Sequence, residues 1–271
     1  MPETGNNTIN KQRLTIRVSK NSMSFAIAHP EQEQSLRYEP FILKSGMSIS
    51  ANLREAFKSA ELLSFGYQRA QIILDAPALL IPAELFSEED KDLLYFHSFP
   101  ELKGQIVLFN VLPDLNAVAL FSINKDLKMV IEDNIADVKY YIAMAPVWKQ
   151  LHQRSFTGAR QKLYGYFHDN KIDIFSFKNN RFKFSNSFDA KYYKDALYFL
   201  LYVWKQTGLD AKQDELHIVG DIPDKELMIK EIREYLRNAY IINPVADYNR
   251  APATQVKGMP YDLVTLFVKG R

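Results

Sequence analysis

Hydrophobic and polar residues alternate along three consecutive segments near the start of the chain. These segments are Arg13–Ser19, Met23–Ala28 and Leu36–Leu43. Alternation with a period of two residues is typical of strands that bury one face. The polar segments Lys20–Ser22 and His29–Gln34 separate them, as turns and loops do. The pattern therefore predicts a three-stranded antiparallel meander.

A helix and a buried strand are predicted to follow the meander. Within Ile49–Leu63, apolar residues recur three and four positions apart, which is the spacing of one helix face. Ser48 or Ser50 suits the N-cap, and Gly66 suits the end of the helix. Gln71–Leu74 (QIIL) is apolar without alternation, which indicates a strand buried on both faces of a parallel sheet.

Five further elements are predicted in the first half of the chain. They are a helix that opens at Ser87–Asp90 with a capping-box pattern and an acidic first turn, a strand pair at Gln105–Leu112 and Ala117–Ile123, a helix at Lys125–Asp133 and a strand at Val138–Ala143. We expect the next segment, Val147–Arg160, to cross into the second half.

The second half repeats this order of elements. It reads as strands Gln161–His168, Lys171–Phe177 and Arg181–Ser187, helix Ala190–Thr207, strand Glu215–Val219, a helix capped by Asp221 or Asp224 with Met228, Ile232, Tyr235 and Leu236 on its apolar face, strand Tyr240–Ile242 and a last helix Tyr261–Val268. Corresponding elements lie roughly 140–150 residues apart. This repetition predicts a structural duplication.

The predicted fold is therefore α/β with two duplicated lobes. Each lobe has a mixed five-stranded sheet in which three antiparallel strands are followed by parallel strands, with helices packed on it. We place the lobes at residues 13–150 and 151–271. Residues 1–12 are polar and lack periodicity, so we expect a disordered tail there.

Composition removes several classes of function. The 34 basic and 32 acidic residues nearly balance, so the chain lacks the electrostatic footprint of a nucleic-acid-binding protein. It has no cysteine, which excludes disulfides and thiolate chemistry. No apolar run approaches the ~20 residues of a membrane span. With no signal-peptide pattern at its N-terminus, the chain is expected to be cytoplasmic.

The two hairpins and the strand–glycine–helix segment Leu216–Asp221 resemble parts of a known superfamily. It comprises the actin-like ATPases, sugar kinases and heat-shock chaperones, whose lobes have a ribonuclease H-like core. From Arg13 onward the chain resembles a bacterial family of unknown function with this fold, and more distantly the cell-division and pilus-assembly homologues of actin. The resemblance implies a nucleotide cleft between the lobes.

The motifs of that superfamily are altered in this chain. Its first strand carries Asp-x-Gly, where the Asp helps to hold the metal and the Gly lets backbone N–H groups approach a phosphate. Arg17 stands about where the Asp belongs and Ser19 where the Gly belongs. In the second half, the hairpin that begins at Tyr166 also lacks Asp-x-Gly.

The resemblance therefore implies a degenerate nucleotide site. Its residues would be Ser19, Lys20 and Asn21 near the phosphates, Asp169 near a metal, and Gly220 with Asp221 at the base. Asp169 and Gly220 each have a simpler explanation, since aspartate suits a hairpin turn and glycine suits a tight strand-to-helix connection.

These observations favour a non-catalytic binding or scaffold protein, with no catalytic residue, no metal and no resident cofactor. The alternative is a divergent ATPase or kinase-like enzyme that uses ATP and Mg²⁺. In a third hypothesis, the cleft between the lobes is closed and the protein functions through its outer surface. Tyr192, Tyr198 and Tyr202 lie off the core face of their helix and suit an interface with a protein partner or a second copy.

Overall fold

The computed structural model describes residues 10–28 and 36–269. The strands are β1 (Asn10–Val18), β2 (Met23–Ala28), β3 (Leu36–Phe41), β4 (Tyr67–Leu74), β5 (Leu79–Pro82), β6 (Ile106–Leu112), β7 (Ala117–Ile123), β8 (Asp137–Ile142), β9 (Lys162–His168), β10 (Lys171–Lys178), β11 (Arg181–Asp189), β12 (Glu215–Gly220) and β13 (Ala239–Ile241). The helices are α1 (Ile49–Ser59), α2 (Lys91–Ser98), α3 (Lys125–Asn134), α4 (Met144–Ser155), α5 (Tyr193–Gln206), α6 (Lys225–Tyr235), α7 (Pro244–Asp247), α8 (Pro252–Gln255) and α9 (Tyr261–Lys269).

One predicted loop and most of the predicted N-terminal tail lie outside the described residues. The loop His29–Gln34 and the first nine residues of the predicted tail lie outside them. Asn10–Gln12, at the end of that tail, belong to β1.

Two five-stranded sheets share one topology. The first has the order β3-β2-β1-β4-β8, and the second has the order β11-β10-β9-β12-β13. In each sheet the first three strands in sequence pair antiparallel, and the later two are parallel to the first. The predicted mixed sheets are therefore confirmed. A third sheet has the order β5-β7-β6, and its β6 and β7 form the predicted strand pair.

The chain divides into two compact units. The first runs up to Leu79 and includes Glu89–Asn110 and Leu120–Ala143. The second consists of Leu80–Glu88, Val111–Ala119 and the chain from Met144 onward. The segment Val147–Arg160 forms most of α4, which belongs to the second unit. The lobe limits 13–150 and 151–271 remain predictions.

Alternation along β9 gives the second sheet two different faces. Leu163 and Phe167 belong to an apolar core with residues of α5 and α6, such as Leu200 and Ile232. Tyr166 points the other way and meets Tyr261 of α9, with ring centroids 5.8 Å apart. One face of this sheet therefore packs on an apolar core, whereas the other carries aromatic and polar side chains.

Several helix ends differ from the sequence predictions. The helix α1 ends at Ser59, and a 3₁₀ turn at Leu62–Phe65 precedes Gly66, which is left-handed with φ 62°. The predicted capping box of α2 is not formed, because Asp90 is already in a helical conformation and its side chain accepts no bond from the helix. Asp224 stands at the N-cap of α6 with φ 42°, a left-handed conformation in which its side chain does not cap either.

One predicted core position and one predicted helix start also differ in the structure. Tyr235 is 59% exposed, because α6 buries Met228 and Ile232 and ends just before Leu236. The helix predicted from Ala190 begins at Tyr193, since β11 runs on to Asp189.

Among the described residues, no helix has both the length and the apolar character that crossing a membrane requires.

Asn52 fixes the loop before α1, which gives a first testable prediction. Its Oδ1 accepts the N–H of Lys44 at 2.7 Å, and its Nδ2 donates to the carbonyls of Met47 and Ser48 at 3.2 and 3.1 Å. Because this amide is buried, Asn52→Ala would leave several backbone groups unpaired, at a cost of about 2 kcal/mol in the free energy of unfolding. Urea denaturation measures this loss.

The control is Ser59→Ala. The Ser59 hydroxyl is exposed and bonds only within α1, to the carbonyl of Glu55. This variant is expected to stay within about 0.5 kcal/mol of the wild type. Equal losses in the two variants would contradict a special role for Asn52.

Candidate functional site

One backbone hydrogen bond marks the same place in both five-stranded sheets. In the first, the N–H of Asp75, just after β4, donates to the carbonyl of Val18 at 2.9 Å. In the second, the N–H of Asp221, just after β12, donates to the carbonyl of Phe167 at 2.9 Å. Because the strand orders are the same, Val18 and Phe167 occupy equivalent positions.

The preceding residues, Arg17 and Tyr166, are therefore equivalent to each other. Arg17 pairs with Ile73 of β4, and Tyr166 pairs with Val219 of β12, one step before the marker bond in both sheets. Both side chains are almost fully buried, with 2% and 1% of their surface exposed. Each sheet thus places a large polar side chain at the position where the sequence comparison expected an aspartate.

Arg17 is held against the first hairpin turn. Its Nη1 donates to Ser22 Oγ at 2.9 Å. A guanidinium has five donors, no acceptor and a permanent positive charge, so it cannot coordinate a cation. The charge at this position is therefore opposite to that of a metal ligand.

The first hairpin turn satisfies much of its own backbone. Ser19 Oγ accepts the N–H groups of Asn21 and Ser22 at 3.2 and 2.9 Å, and the N–H of Ser19 donates to the carbonyl of Ser22 at 2.9 Å. Lys20 projects from this turn as an exposed side chain. Lys20 and Asn21 thus lie in a turn of the first unit, as predicted. Ser19 was predicted as the last strand residue, but β1 ends at Val18 and Ser19 belongs to the turn. The proposed contact of these three residues with phosphates stays a prediction.

Tyr166 is bonded to the start of α9. Its hydroxyl lies 3.2 Å from Asp262 Oδ2 and accepts the N–H of Asp262 at 3.3 Å. Asp262 is fully buried. Because a phenol donates to a carboxylate while accepting from an amide, Tyr166 and Asp262 satisfy each other inside the second unit. Tyr166 lies on β9, three residues before Asp169.

A histidine links two aspartates beside this pair. His168 Nε2 lies 2.5 Å from Asp173 Oδ2, and His168 Nδ1 lies 3.3 Å from Asp169 Oδ2. The ring of His168 stacks on Tyr166 with centroids 4.3 Å apart. Burial raises the pKa of Asp173, but the hydrogen bond to His168 and the charge of Lys171 outweigh it, so this pKa lies below its ordinary value.

Asp169, the predicted metal-side residue, stands in the turn between β9 and β10. Asp169 and Asn170 have φ values of 48° and 62°. Two consecutive left-handed residues make a two-residue hairpin turn, in which Asp and Asn are favoured. The conformation and the contact with His168 therefore account for this aspartate, and metal binding by it stays a prediction.

Gly220 closes the connection from β12 toward α6. Its φ is +100°, and a Cβ placed on it would lie 2.0 Å from the carbonyl oxygen of Phe167. No side chain fits at that distance, so only glycine allows the two strands to end this close together. This contact agrees with the tight strand-to-helix connection that the sequence suggested at Gly220, whereas its role in binding a nucleotide stays a prediction.

A cavity of about 570 Å³ opens beside Gly220 at the carboxyl ends of β12 and β13. Its lining includes Tyr166, Phe167, Gly220, Asp221, Lys225, Ile241, Ile242, Asn243, Pro244, Val245, Thr254, Val256, Met259, Pro260, Tyr261 and Val264. Ligands of open α/β sheets bind at this edge. Of the six predicted site residues, Gly220 and Asp221 line the cavity.

The sequence did not predict that Asn243–Val245 and Met259–Tyr261 line this cavity. Pro244 and Pro260 mark turns there, which was the only local signal. Nothing in the sequence indicated that these two loops meet the end of β12.

Comparison with known structures identifies the fold. The chain is similar to a crystallised protein of Bacteroides thetaiotaomicron with an actin-like ATPase fold and unknown function, at 28% identity and a TM-score of 0.80. The match covers 94% of this chain and 100% of that one. The two five-stranded sheets are therefore those of an actin-like ATPase fold.

Residues 2–239 match the model of one protein family, DUF3822, which is described as a protein of unknown function. The chain belongs to the DUF3822 family. Both the actin-like fold and the membership of a bacterial family of unknown function were expected from the sequence, and both are confirmed. No curated protein matches this DUF3822 chain.

The pilus-assembly resemblance is also found among solved structures. The PilM–PilN type IV pilus biogenesis complex matches at 10% identity with a TM-score of 0.56, covering 94% of this DUF3822 chain and 98% of that one. At this identity the likeness concerns the fold alone.

The fold implies a nucleotide with its metal, and the side chains at the two positions expected to carry aspartate do not fit that metal. Magnesium prefers oxygen ligands such as carboxylates. The two equivalent positions hold a buried guanidinium at Arg17 and a phenol at Tyr166 that is already bonded to Asp262.

Proposed function

We propose that this DUF3822 protein is a non-catalytic binding or scaffold protein that binds a small ligand in the cavity of its second unit. The single observation that carries the proposal is the pair Arg17 and Tyr166, two buried side chains at equivalent positions of the two sheets. Hydrolysis of a nucleotide needs a metal held where these side chains stand.

Electrostatics supports the loss of hydrolysis. Metal ions stabilise the charge that develops during phosphoryl transfer, and carboxylates hold them. A buried arginine disfavours a divalent cation nearby, because the protein interior screens the repulsion less than water does. Moving Arg17 would also disrupt its bond to the turn at Ser22.

The cavity supports ligand binding. Its volume lies within the ~300–1,000 Å³ of small-molecule sites. The rings of Tyr166 and Tyr261 and the side chains of Ile241 and Val245 give it apolar walls, while Lys225 and other polar groups add a few contacts. A ligand with a flat apolar part and a polar end fits this lining best.

The second candidate is a divergent ATPase or kinase-like enzyme. The tight approach at Gly220, where a strand ends beside a cavity and a helix follows, is the observation that favours it. In that case ATP with Mg²⁺ would use ligands other than residues 17 and 166.

A test separates the two candidates by turnover and by site. We expect no phosphate release from Mg-ATP above the buffer rate. We also expect ligand-observed NMR to find aromatic fragments that bind the wild type and lose binding in Val245→Trp, because the larger ring fills the cavity that Val245 lines.

Val111→Trp is the matched control for Val245→Trp. Val111 also belongs to the second unit, is 58% exposed and does not line the cavity. This variant should bind fragments like the wild type. Equal binding by all three proteins would remove the cavity from the proposal. Phosphate release that requires Mg²⁺ and disappears in Val245→Trp would favour the enzyme.

A further inference from the structure

The helix α5 has an exposed stripe of four residues opposite its core face. Asp195, Tyr198, Tyr202 and Lys205 are spaced three, four and three positions apart, which places them within about 80° of one another around the helix axis. All four are exposed, and Tyr198 and Tyr202 expose 62% and 48% of their surface. The other face buries Ala196, Leu200, Val203 and Trp204 in the core.

The rings of the two tyrosines lie near each other with nearly parallel planes. Their ring centroids lie 6.1 Å apart with an angle of 17° between the ring planes. Large aromatic side chains are enriched at protein interfaces, because each contributes wide contact area with little loss of conformational freedom. The centre of the stripe therefore has the character of an interface core.

The charges of the stripe are arranged symmetrically about that centre. Asp195 lies three residues before Tyr198, and Lys205 lies three residues after Tyr202. A second copy of α5 packed antiparallel, with a two-fold axis midway between the tyrosines, sets Tyr198 against Tyr202 of the second copy. The same axis places Asp195 of each copy opposite Lys205 of the other, which gives two ion pairs.

The neighbouring lysine fits the same arrangement. Lys194 would meet Gln206 of the second copy, so the antiparallel register creates no pair of like charges along the stripe. A parallel arrangement would set Asp195 against Asp195. The charges of the stripe therefore complement those of a second copy of this chain in the antiparallel orientation.

We propose that the protein forms a two-fold symmetric homodimer through antiparallel packing of α5, centred on Tyr198 and Tyr202 and oriented by two Asp195–Lys205 ion pairs. Such an interface is isologous and closes at two copies. A helix of 14 residues is about 21 Å long, which is short for an interface of standard size, so we expect reversible association with Kd on the order of micromolar.

The experiment is sedimentation of the full chain over a concentration series. The variants are Asp195→Lys, Lys205→Asp and the double variant that carries both. Each single variant sets like charges against each other twice and should weaken dimerisation at least about tenfold. The double variant restores opposite charges and should dimerise like the wild type.

Mixing the two single variants gives a second readout. One then offers two lysines and the other two aspartates, so a heterodimer should form from proteins that do not dimerise alone. Tyr198→Ser with Tyr202→Ser should abolish association, and the exposed Glu226→Lys on α6 should leave it unchanged. Far-UV circular dichroism confirms that each variant is folded.

Three results would overturn the proposal. They are a wild type that stays monomeric well above micromolar concentration, single variants that associate like the wild type, and a double variant that fails to recover. The second result would locate the self-association elsewhere, and the first would leave the stripe to a different protein.

Discussion

Gly220→Ala is expected to destabilise the second unit by about 4 kcal/mol or more. The new Cβ would lie 2.0 Å from the carbonyl oxygen of Phe167 and 3.0 Å from the ring of Tyr166. Because the nearest atom belongs to the backbone of β9, relief requires the two strands to separate, and the left-handed φ adds strain of its own. Urea denaturation followed by circular dichroism measures the free energy of unfolding.

The matched control is Gly208→Ala. Gly208 also has a positive φ, +67°, but a Cβ there meets nothing within 4 Å. This variant should lose only the conformational cost of about 1–2 kcal/mol. If the two variants are equally stable, the close approach of β12 to β9 does not exist in solution.

His168→Ala is expected to cost about 3–5 kcal/mol at neutral pH. It removes the partner that holds Asp173 Oδ2 at 2.5 Å and leaves a buried carboxylate without that bond. The same change removes the ring stacked on Tyr166. The loss should therefore exceed that of an ordinary surface substitution several-fold.

The pH dependence of this loss has a definite sign. In the wild type the pKa of Asp173 is lowered from 3.8, so its stabilising contribution is present above that value and is lost as pH falls through the native pKa. In His168→Ala, loss of the hydrogen bond and charge of the histidine moves the pKa of Asp173 upward from its wild-type value, so protonation on acidification relieves part of the cost. The difference between the two proteins should shrink from pH 7 toward pH 4.

Two controls accompany this prediction. His97→Ala changes an exposed histidine of α2 and should stay within about 0.5 kcal/mol of the wild type. The double variant His168→Ala with Asp173→Asn should lose less than the sum of the single losses, because the two side chains share one interaction. Full additivity would show that the pair is not coupled.

Local pattern predicted the position of the strands well, because apolar residues alternate along them. Leu14, Ile16 and Val18 are buried as expected, but Thr15, Arg17 and Ser19 between and after them are buried too, so β1 is covered on both faces and not on one. The strand β4 is longer than its apolar part, because Tyr67–Arg69 pair with β1 through the backbone whatever their side chains are. The four-residue elements β5, α7 and α8 were missed, since so short a segment shows no period.

The candidate site was predictable only in part. Gly220 and Asp221 follow an apolar strand, so their place at a sheet edge could be inferred from sequence. Lys20 and Asn21 were correctly placed in a hairpin turn, whereas Ser19 was predicted at the end of the strand and lies in the turn. The loops that complete the cavity around Val245 and Met259 could not be inferred, because they carry no periodic pattern and follow β12 by more than twenty residues.

The sequence by itself determined the order of the longer elements in both halves and the replacement of the expected aspartates, since both depend on residues close together in the chain. Only the tertiary structure decided that Arg17 and Tyr166 are equivalent, because that follows from hydrogen bonds between strands far apart in sequence. It also decided that Tyr166 meets Asp262, 96 residues away. Hydrophobic patterning specifies which side of an element is buried, whereas the partner of a buried polar group depends on how the elements pack.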